Sequence, residues 1–272
     1  MSEPRAKRIP AALEIVVSPD PVAHAAGWLV ERVRGLAARS YPSEDPSEAR
    51  SEIRLAIPGG SALAAVVRAA TELGEVWRRV ALTWVDERCV PVASPESNRG
   101  EAMRRGILPF ESGIPVSRSA ERSPTRVLPL FEDGEAPEAA VARVGRRYAD
   151  EFSGSLDVVL LGMGEDGHVA SLFPGRFEAT SAYAAYVPDS PKPPARRITL
   201  TRRALASAAH TLLFATGEGK RSALQRLRAG DPTLPATGLP GLVVVTDLQL
   251  EPADSSAPLN EKREMREKRW NG

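Results

Sequence analysis

Residues 157–174, DVVLLGMGEDGHVASLFP, decide the fold of this chain and contain its strongest catalytic candidate. We predict a β-strand over residues 157–161, because after Asp157 four apolar residues follow without polar alternation, as in a strand buried on both faces of a parallel sheet. A glycine-rich turn follows, and it contains His168, one of only three histidines. Ligands bind beyond the carboxyl ends of parallel strands, so a histidine at this place is a candidate general base.

Short apolar runs alternate with amphipathic runs on both sides of this stretch. We predict further strands at 13–18, 53–57, 80–85, 197–200, 211–215 and 242–245. We predict helices at 21–39, 61–73, 95–108, 135–152 and 219–228, with Ser61 as the N-cap of the second. Residues 41–52 and 111–126 are expected to be loops. The alternation indicates a mostly parallel sheet covered by helices on both sides.

The length of 272 residues suits one α/β domain, which we expect to span residues 13–250. Residues 1–12 are then an N-terminal extension, and residues 251–272 are a charged C-terminal tail. The formal net charge of +1 gives no reason to expect nucleic acid or an anionic membrane as partner. A single cysteine excludes an intramolecular disulfide and a thiolate metal cluster.

The chain shows no apolar run of signal-peptide type and no uninterrupted stretch of about 18 apolar residues. We therefore expect a cytoplasmic protein, either a monomer or a small homo-oligomer, whose partner is a small molecule. The histidines are few and scattered, so no metal and no cofactor are expected.

The turn Pro58-Gly59-Gly60-Ser61 joins a strand end to a helix start. Free amides at such a place bind anions, and glycines let the backbone approach a phosphate closely. A plain connecting turn would look the same. Arg197, at a strand start, and Lys220, at a strand-to-helix turn, could complete a phosphate clamp.

Charged residues also crowd the end of the strand at 80–85, where the chain reads Asp86-Glu87-Arg88 and, soon after, Ser97-Asn98. A solvated loop with a local ion pair is the alternative to a functional role. The position at the carboxyl end of a buried strand makes Asp86, Arg88 and Asn98 candidates for the site.

The glycines Gly162, Gly164 and Gly167 match the dinucleotide pattern G-x-G-x-x-G. Glu165 and Asp166 would repel a pyrophosphate within that loop. A proline at 174 follows too soon for the helix that a nucleotide-binding unit needs. The match is therefore weak support for a dinucleotide site.

Five strings together resemble the 6-phosphogluconolactonase family, in the same order and with the same spacing: PGGSALA, WVDERCVP followed by SN, DVVLLGMGEDGHVASLFP, RITLT and GEGK. The resemblance covers roughly residues 13–245, and the DGHVASLFP string is its most specific part. It implies a three-layer αβα sandwich with a Rossmann-like central sheet, as in glucosamine-6-phosphate deaminases. It also implies hydrolysis of 6-phospho-D-glucono-1,5-lactone to 6-phosphogluconate in the pentose phosphate pathway.

The resemblance also implies roles for individual residues. His168 would be the catalytic proton carrier, with Asp166 beside it and Arg88 in the active site. The residues expected around the phosphate are Gly59, Gly60, Ser61, Arg197 and Lys220. Further active-site candidates are Asp86, Asn98, Gly164 and Gly167.

The chain departs from the family at two places. Pro58 and Ala62 replace the outer polar residues of the usual glycine turn, which removes one hydroxyl contact to phosphate. Residues 245–248 match the usual C-terminal end only loosely.

Two alternative functions remain open. A glucosamine-6-phosphate deaminase shares the glycine turn and the DGH string, but it carries a carboxylate near the place where this chain reads SLFP, residues 171–174. A non-catalytic phosphosugar-binding domain, as in some sugar-responsive repressors, commonly loses the catalytic groups and carries a DNA-binding helix pair. Too few residues precede the first predicted strand for such a pair, and His168 is present.

Overall fold

The computed structural model describes residues 13–39, 52–108, 123–177 and 180–250. The proposed extension 1–12 and tail 251–272 lie outside the described residues, as do nearly all of the loop 41–52 and most of the loop 111–126.

The strands of the described part form two sheets. Their bounds are β1 (Glu14–Val17), β2 (Ile53–Ile57), β3 (Val80–Trp84), β4 (Asp86–Arg88), β5 (Arg126–Leu128), β6 (Val158–Gly162), β7 (Ala184–Val187), β8 (Arg197–Leu200), β9 (His210–Phe214) and β10 (Leu242–Thr246). The larger sheet has the order β1-β10-β9-β6-β2-β3-β5, and all its described pairings are parallel. The prediction of a mostly parallel central sheet is confirmed.

The smaller sheet has the order β4-β8-β7 and is antiparallel. The stretch 197–200 is a strand, as predicted. Its place in the alternating pattern had suggested that it joins the parallel sheet, but it pairs antiparallel with β4 and β7 in the small sheet. The chain leaves the large sheet after β3, and β4 then pairs with β8, so that Arg88 lies opposite Arg197.

The helices cover the central sheet, and this gives the three-layer α/β arrangement. Their bounds are α1 (Pro21–Arg39), α2 (Leu63–Leu73), α3 (Asn98–Arg104), α4 (Pro137–Glu151), α5 (Arg202–Leu205) and α6 (Arg221–Arg228). Helix α1 contacts α2, β9 and β10, whereas α4 contacts β5 and the small sheet. Each helix presents an apolar stripe to its neighbours, as its residue spacing predicts.

The core is built around the central strands. Every residue of β2 and β3 is buried, and Val158, Val159, Leu160 and Leu161 of β6 are fully inaccessible to solvent. Burying a side chain of this size stabilises the fold by about 1.5–3 kcal/mol. The unbroken apolar run that predicted a doubly covered strand is confirmed.

Two local predictions were wrong. Ser61 is not a helix N-cap, because the chain first makes a 3₁₀ turn over Gly60–Ala62 and α2 begins only at Leu63. The helix expected at 95–108 is shorter, and Ser97 caps it by accepting a hydrogen bond from the Gly100 amide at 2.9 Å. In addition, β4, β5 and β7 were not predicted, because β4 is entirely charged and none of the three forms an apolar run with a clear strand period.

Candidate active site

A cavity of about 270 Å³ lies beyond the carboxyl ends of β2, β3, β6 and β9. The register aligns these ends, since Ile57 lies opposite Trp84 and Gly162 lies opposite Phe214. After β5 the chain returns to the other side of β2 and continues through β6 and β9. The cavity therefore lies where the strand order reverses, which is the usual ligand position in such sheets.

Most of the residues expected at the site lie together at this cavity. Those that line it are Gly59, Gly60, Ser61, Asp86, Arg88, Asn98, Gly164, His168, Arg197 and Lys220. Asp166 and Gly167 do not line it, although both belong to the turn that holds His168.

His168 and Asp166 form a hydrogen-bonded pair. Nδ1 of His168 lies 2.6 Å from Oδ1 of Asp166, and the His168 amide donates to the same oxygen at 3.3 Å. Burial lowers the pKa of the imidazole, although Asp166 opposes that shift. Burial alone would raise the pKa of Asp166, but the hydrogen bond and charge of His168 lower it overall. Because a carboxylate only accepts, Nδ1 carries the hydrogen and Nε2 keeps its lone pair toward other partners.

Phe173 packs against the imidazole of His168. The two ring centroids are 4.8 Å apart with an angle of 38° between the planes, and Phe173 is buried. The His168 side chain is only 15% exposed. An apolar neighbour disfavours the charged imidazolium, which agrees with the direction of the His168 pKa shift.

Two glycines shape the turn that holds His168. A Cβ atom on Gly164 would lie 2.1 Å from the imidazole, so any side chain there would occupy the space of the ring. Gly167 has a φ of +91°, and its Cβ would lie 2.6 Å from Leu234. The Gly164 amide closes the turn by donating to the His168 carbonyl at 2.8 Å. The glycines therefore serve the placement of the histidine rather than a pyrophosphate.

The glycine turn after β2 lies across the cavity from β6. Gly60 adopts a φ of +66°, and a Cβ on Gly59 would lie 1.9 Å from Oδ1 of Asn98. The Gly60 amide donates to Oε2 of Glu101 at 3.2 Å. An anionic oxygen thus already accepts a hydrogen bond from this turn, and a phosphate bound at the same amide would have to displace Glu101.

Asp86 is the centre of a buried polar cluster beside the cavity. Its Oδ2 accepts a hydrogen bond from the Ser171 hydroxyl at 2.6 Å and lies 3.7 Å from Nη1 of Arg197. Its carbonyl accepts from Nδ2 of Asn98 at 2.8 Å. Ser171 belongs to the stretch that follows His168, so this cluster joins the β3 end to the histidine segment.

Arg197 uses most of its donors on backbone carbonyls. Nε donates to Pro194 at 3.0 Å, and Nη2 donates to Lys192 at 3.0 Å and to Pro193 at 3.3 Å. Burial lowers its pKa, opposed by the nearby carboxylate of Asp86. Nη1 is the part of the guanidinium that faces Ser171 and Asp86, so only this nitrogen is placed to contact a ligand. The guanidinium therefore holds the backbone of residues 192–194 in the turn that precedes its own strand.

Glu87, which sequence reasoning did not assign to the site, is a buried supporting group. Its Oε1 accepts from the amides of Arg88 at 2.7 Å and Asn98 at 2.8 Å. Its Oε2 accepts from the Arg99 amide at 2.7 Å and the Ser97 hydroxyl at 3.2 Å. Burial raises its pKa, while these amides oppose the rise. Glu87 thus fixes the start of α3 and, with it, Asn98.

Arg88 is partly tethered at the cavity wall. Its Nη1 donates to the Glu96 carbonyl at 2.6 Å, while its buried Nε has no hydrogen-bond partner among the described residues. The remaining guanidinium hydrogens are available to a ligand in the cavity.

Lys220 ends a 3₁₀ turn, Glu218–Lys220, that opens α6. Its amide donates to the Gly217 carbonyl at 2.9 Å, and the Gly217 amide donates to Oδ1 of Asp247 at 2.9 Å. The ammonium makes no ion pair within the described ranges. The turn is therefore fixed, and its cation is left for a ligand.

Lys192 and Thr216 also line the cavity and were not predicted from the sequence. The amino-acid composition contains a signal that could have identified Lys192 as a site residue. Only five of the 36 basic side chains are lysines, and Lys192 and Lys220 are the two that fall within the described residues. Both line the same cavity, although the rest of the described chain uses arginine for its positive charges.

Two further findings concern the described residues alone. They contain no group of three or more His, Cys, Asp or Glu side chains that could hold a metal ion. None of their helices is long and apolar enough to cross a membrane.

The fold and the cavity define an α/β protein whose polar site, lined by two lysines, lies at the switch point of a parallel sheet. The family model described as glucosamine-6-phosphate isomerases/6-phosphogluconolactonase matches residues 31–244. The chain therefore belongs to this family.

Curated relatives agree with this placement. A 6-phosphogluconolactonase of Mycobacterium leprae is 34% identical over 218 residues, which cover 77% of this chain and 87% of the relative. A 6-phosphogluconolactonase of Rattus norvegicus is 34% identical over 69% of this chain and 73% of its own length. A probable chloroplastic 6-phosphogluconolactonase of rice, subspecies indica, is 36% identical, but the match spans only 56% of that protein and 65% of this chain.

Solved structures support the fold. The 6-phosphogluconolactonase of Thermotoga maritima superposes with a TM-score of 0.66 at 22% identity, covering 86% of this chain and 98% of that chain. A monomeric glucosamine-6-phosphate deaminase superposes with a TM-score of 0.61 at 18% identity, covering 87% and 97%. Because both activities occur on this fold, the choice between them depends on the site.

Proposed function

We propose that this chain hydrolyses 6-phospho-D-glucono-1,5-lactone to 6-phospho-D-gluconate, a step of the oxidative pentose phosphate pathway. The observation that carries the proposal is His168, bonded to Asp166 at 2.6 Å, in one cavity with a glycine turn and with Lys220, which forms no ion pair with the described residues. The names of the curated relatives support it. The reaction needs a general base and an anchor for the phosphate, and this cavity offers both.

The anchor in this proposal is the side of the cavity formed by the glycine turn and Lys220. The amides of Gly59, Gly60 and Ser61 and the ammonium of Lys220 bind the phosphate, and Nη1 of Arg197 adds a charge-assisted bond. Glu101 leaves the Gly60 amide when the phosphate arrives. Fixing the phosphate holds the lactone carbonyl near His168 and makes the attack effectively intramolecular.

The base in this proposal is Nε2 of His168, which is free because Nδ1 is bonded to Asp166. Nε2 takes a proton from a water molecule, whose oxygen attacks the lactone carbonyl carbon. The π pair of the carbonyl moves to its oxygen and forms a tetrahedral oxyanion. Asp166 holds the ring in position and stabilises the imidazolium while the intermediate exists.

The intermediate then collapses. The carbonyl reforms as the bond from carbon to ring oxygen breaks, and the imidazolium of His168 gives its proton to that oxygen. The new carboxylic acid loses its proton to solvent. The same Nε2 takes a proton from the water and gives it to the ring oxygen. Because the imidazole is fixed, both oxygens must be within its reach on one face of the lactone. Backbone amides of a glycine turn and Arg88 are candidates for stabilising the oxyanion.

A glucosamine-6-phosphate deaminase is the alternative enzyme in the same family. Opening and isomerising an amino sugar needs an additional acid–base group near the histidine. In this chain the residue packed on His168 is the apolar ring of Phe173, 4.8 Å away. This contact favours the lactonase over the deaminase.

A phosphosugar-binding domain without activity is the alternative outside enzymes. Such a domain needs the anchor but has no use for a buried histidine–carboxylate pair. The pair supports an enzyme, because a neutral imidazole held by a carboxylate is the arrangement that proton transfer requires.

The domain bounds, partner, cofactor, compartment and oligomeric state that we propose for this enzyme are those expected from the sequence. We propose one catalytic domain over residues 13–250, a phosphosugar lactone as its partner, no metal or cofactor, and action in the cytoplasm as a monomer or small homo-oligomer. The rice relatives are described as chloroplastic, so the compartment is tested by fractionation of the native cells.

The activity is tested by following acid release from purified 6-phosphogluconolactone, with unphosphorylated gluconolactone as the matched control. We expect the protein to accelerate opening of the phosphorylated lactone far above its spontaneous rate, and opening of the control much less. Release of ammonia from glucosamine 6-phosphate, with no acceleration of lactone opening, would establish the deaminase instead.

A further inference from the structure

Lys192 is a cation at the cavity for which the proposed mechanism has no role. It lies in the turn between β7 and β8, and it lines the cavity together with His168 and Arg197. Its side chain makes no ion pair within the described ranges. The scarcity of lysine in this chain makes its presence here more informative than an arginine would be. A lysine ammonium is a compact point charge, whereas the arginine fork suits planar partners.

The backbone of Lys192 is held firmly although its side chain is exposed. Its carbonyl accepts from Nη2 of Arg197 at 3.0 Å and from the Ser190 hydroxyl at 2.9 Å. Arg197 is itself buried against Asp86 and Ser171. A buried arginine that donates to three successive carbonyls, those of residues 192–194, fixes the turn from inside the protein.

The charge of Lys192 acts on the proton-handling pair. It contributes to lowering the pKa of both His168 and Asp166. The charges of Asp166 and Asp86 act in the opposite direction and raise the pKa of His168. Both lysines line the cavity, and the charge of Lys192 acts on the pair that handles the proton.

We propose that the ammonium of Lys192 contacts the lactone carbonyl oxygen and stabilises the oxyanion formed during hydrolysis, with Arg197 as the residue that positions it. The inference rests on the proposed lactonase function and adds a residue to it. Lys192 keeps its proton throughout: the π pair of the carbonyl moves to the oxygen beside the ammonium and returns when the ring bond breaks. When the bound substrate excludes water, this interaction strengthens, because the local dielectric falls.

The same cation adds to the effect of burial, which is the main cause that favours the neutral form of His168. A positive charge beside an imidazole disfavours its protonation, so Nε2 remains able to accept a proton from water. The charged groups around His168 are Asp166 on its own turn, Lys192 on the β7–β8 turn and Asp86 on β4, with Arg88, Arg197 and Lys220 elsewhere on the cavity wall. Removing Lys192 therefore raises the pKa of His168, whereas removing a distant cation does not.

The test compares Lys192→Met with the wild type, with Lys192→Arg and with Arg78→Met. Arg78 is the matched control, because it is an exposed cation at the amino end of β3, away from the cavity. For Lys192→Met we expect kcat to fall by about 10²- to 10³-fold for the phosphorylated lactone, with KM nearly unchanged. The unphosphorylated lactone should lose kcat by a similar factor. Lys192→Arg should recover part of the loss.

A second readout needs no turnover. NMR titration of the imidazole signals, with His168→Asn to assign them, should give a higher His168 pKa in Lys192→Met and an unchanged one in Lys192→Arg and Arg78→Met. Thermal unfolding should show all variants folded. A purely structural role would not move this pKa in the folded protein.

The role of Arg197 is tested in the same assay. Arg197→Lys keeps the charge but loses the fork that holds the carbonyls of residues 192–194. It should lower kcat in the wild-type background and have little further effect on kcat in the Lys192→Met background, because both changes remove the same oxyanion contact, whereas its loss from the phosphate anchor should appear in KM. Additive losses would contradict the positioning role.

Several results would overturn the inference. The first is a Lys192→Met variant whose kcat equals that of the wild type. The second is a Lys192→Met variant in which only KM rises, and only for the phosphorylated lactone. The third is a His168 pKa that is the same in Lys192→Met as in the wild type. The second result would make Lys192 a phosphate ligand. A wild-type protein that opens no lactone would refute the proposed function and this inference together, whereas an active wild type with an equally active Lys192→Met refutes only the inference.

Discussion

Nδ1 of His168 lies 2.6 Å from Oδ1 of Asp166, two positions earlier in the same turn. The carboxylate fixes the tautomer of the imidazole, so the hydrogen is on Nδ1 and the lone pair on Nε2. The ring cannot rotate without breaking this bond and leaving its contact with Phe173. The proposed chemistry depends on this relationship, because a base acts only when it faces the proton it removes.

The first prediction concerns the pH dependence of kcat/KM. His168 acts when neutral, and burial lowers its pKa below the ordinary 6.5. Activity should therefore stay on its plateau as the pH falls through 6.5 and decline only at lower pH. Initial rates, corrected for spontaneous opening, measure this profile.

The variant Asp166→Asn tests the predicted direction of the shift in the His168 pKa. Asp166 raises the pKa of His168 against the effect of burial, so its neutral replacement should move the acid limb further down while lowering kcat. An acid limb at or above 6.5 in the wild type would be inconsistent with a buried neutral imidazole as the base.

The second prediction concerns the phosphate anchor. Lys220→Met removes a charge-assisted bond of about 1.5–3 kcal/mol, so KM for the phosphorylated lactone should rise by roughly 10- to 100-fold. Some loss of kcat is expected, since a distant anchor also positions the reacting end. Steady-state kinetics on both lactones measure the effect.

Unphosphorylated gluconolactone is the control for Lys220. The wild type should use it poorly, and Lys220→Met should use it no worse than the wild type does. Equal losses on the two substrates would place Lys220 in the chemistry or in the fold, and no loss on either would leave it a surface charge.

The third prediction is that catalysis needs no metal. The described residues hold no cluster of three ligands, and the proposed base is an imidazole bonded to a carboxylate. Lactonase activity should survive exhaustive chelation and dialysis. Loss of activity that zinc or magnesium restores would show that a metal takes part.

The sequence predicted the central part of this structure well. The strand predicted at 157–161 is observed at Val158–Gly162, because a continuous apolar run admits few alternatives, and its turn was predicted because the glycines act within a few residues of His168. The glycine turn after β2 was found for the same reason. The start of the helix after this turn was not predicted correctly. It depends on the left-handed conformation of Gly60 rather than on Ser61 as a cap.

What could not be predicted are contacts between distant segments. Ser171 donates to Asp86, 85 positions earlier, and its amide donates to Thr199, the β8 residue that lies opposite Asp86 in the small sheet. The contact of Glu101 with the Gly60 amide spans 41 positions. The residues of β4 and of the turn that contains Lys192 show no local periodicity. The antiparallel pairing that shapes the cavity wall was therefore not predicted from one sequence.

The fourth prediction concerns the opposite end of the sheet. Nε and Nη2 of Arg54 bind the two oxygens of Asp157 at 3.0 and 2.8 Å, and both side chains are largely buried. Asp157→Ala leaves an uncompensated buried guanidinium and should lower the free energy of unfolding by about 3–5 kcal/mol. Urea unfolding at neutral pH measures the change.

Asp189→Ala is the matched control for Asp157→Ala. Asp189 pairs with Arg176 at the surface, where both side chains are more than half exposed. Losing such a pair should change the unfolding free energy by no more than about 1 kcal/mol. Similar losses for the two variants would mean that the burial of the Arg54 pair has no particular effect on stability.

The most direct test of the central claim is the rate of opening of 6-phosphogluconolactone by the purified wild type and by His168→Asn. We expect the wild type to accelerate opening well above the spontaneous rate and His168→Asn to lower kcat by about 10²-fold or more with KM little changed. A folded His168→Asn protein that turns over at nearly the wild-type rate would contradict it.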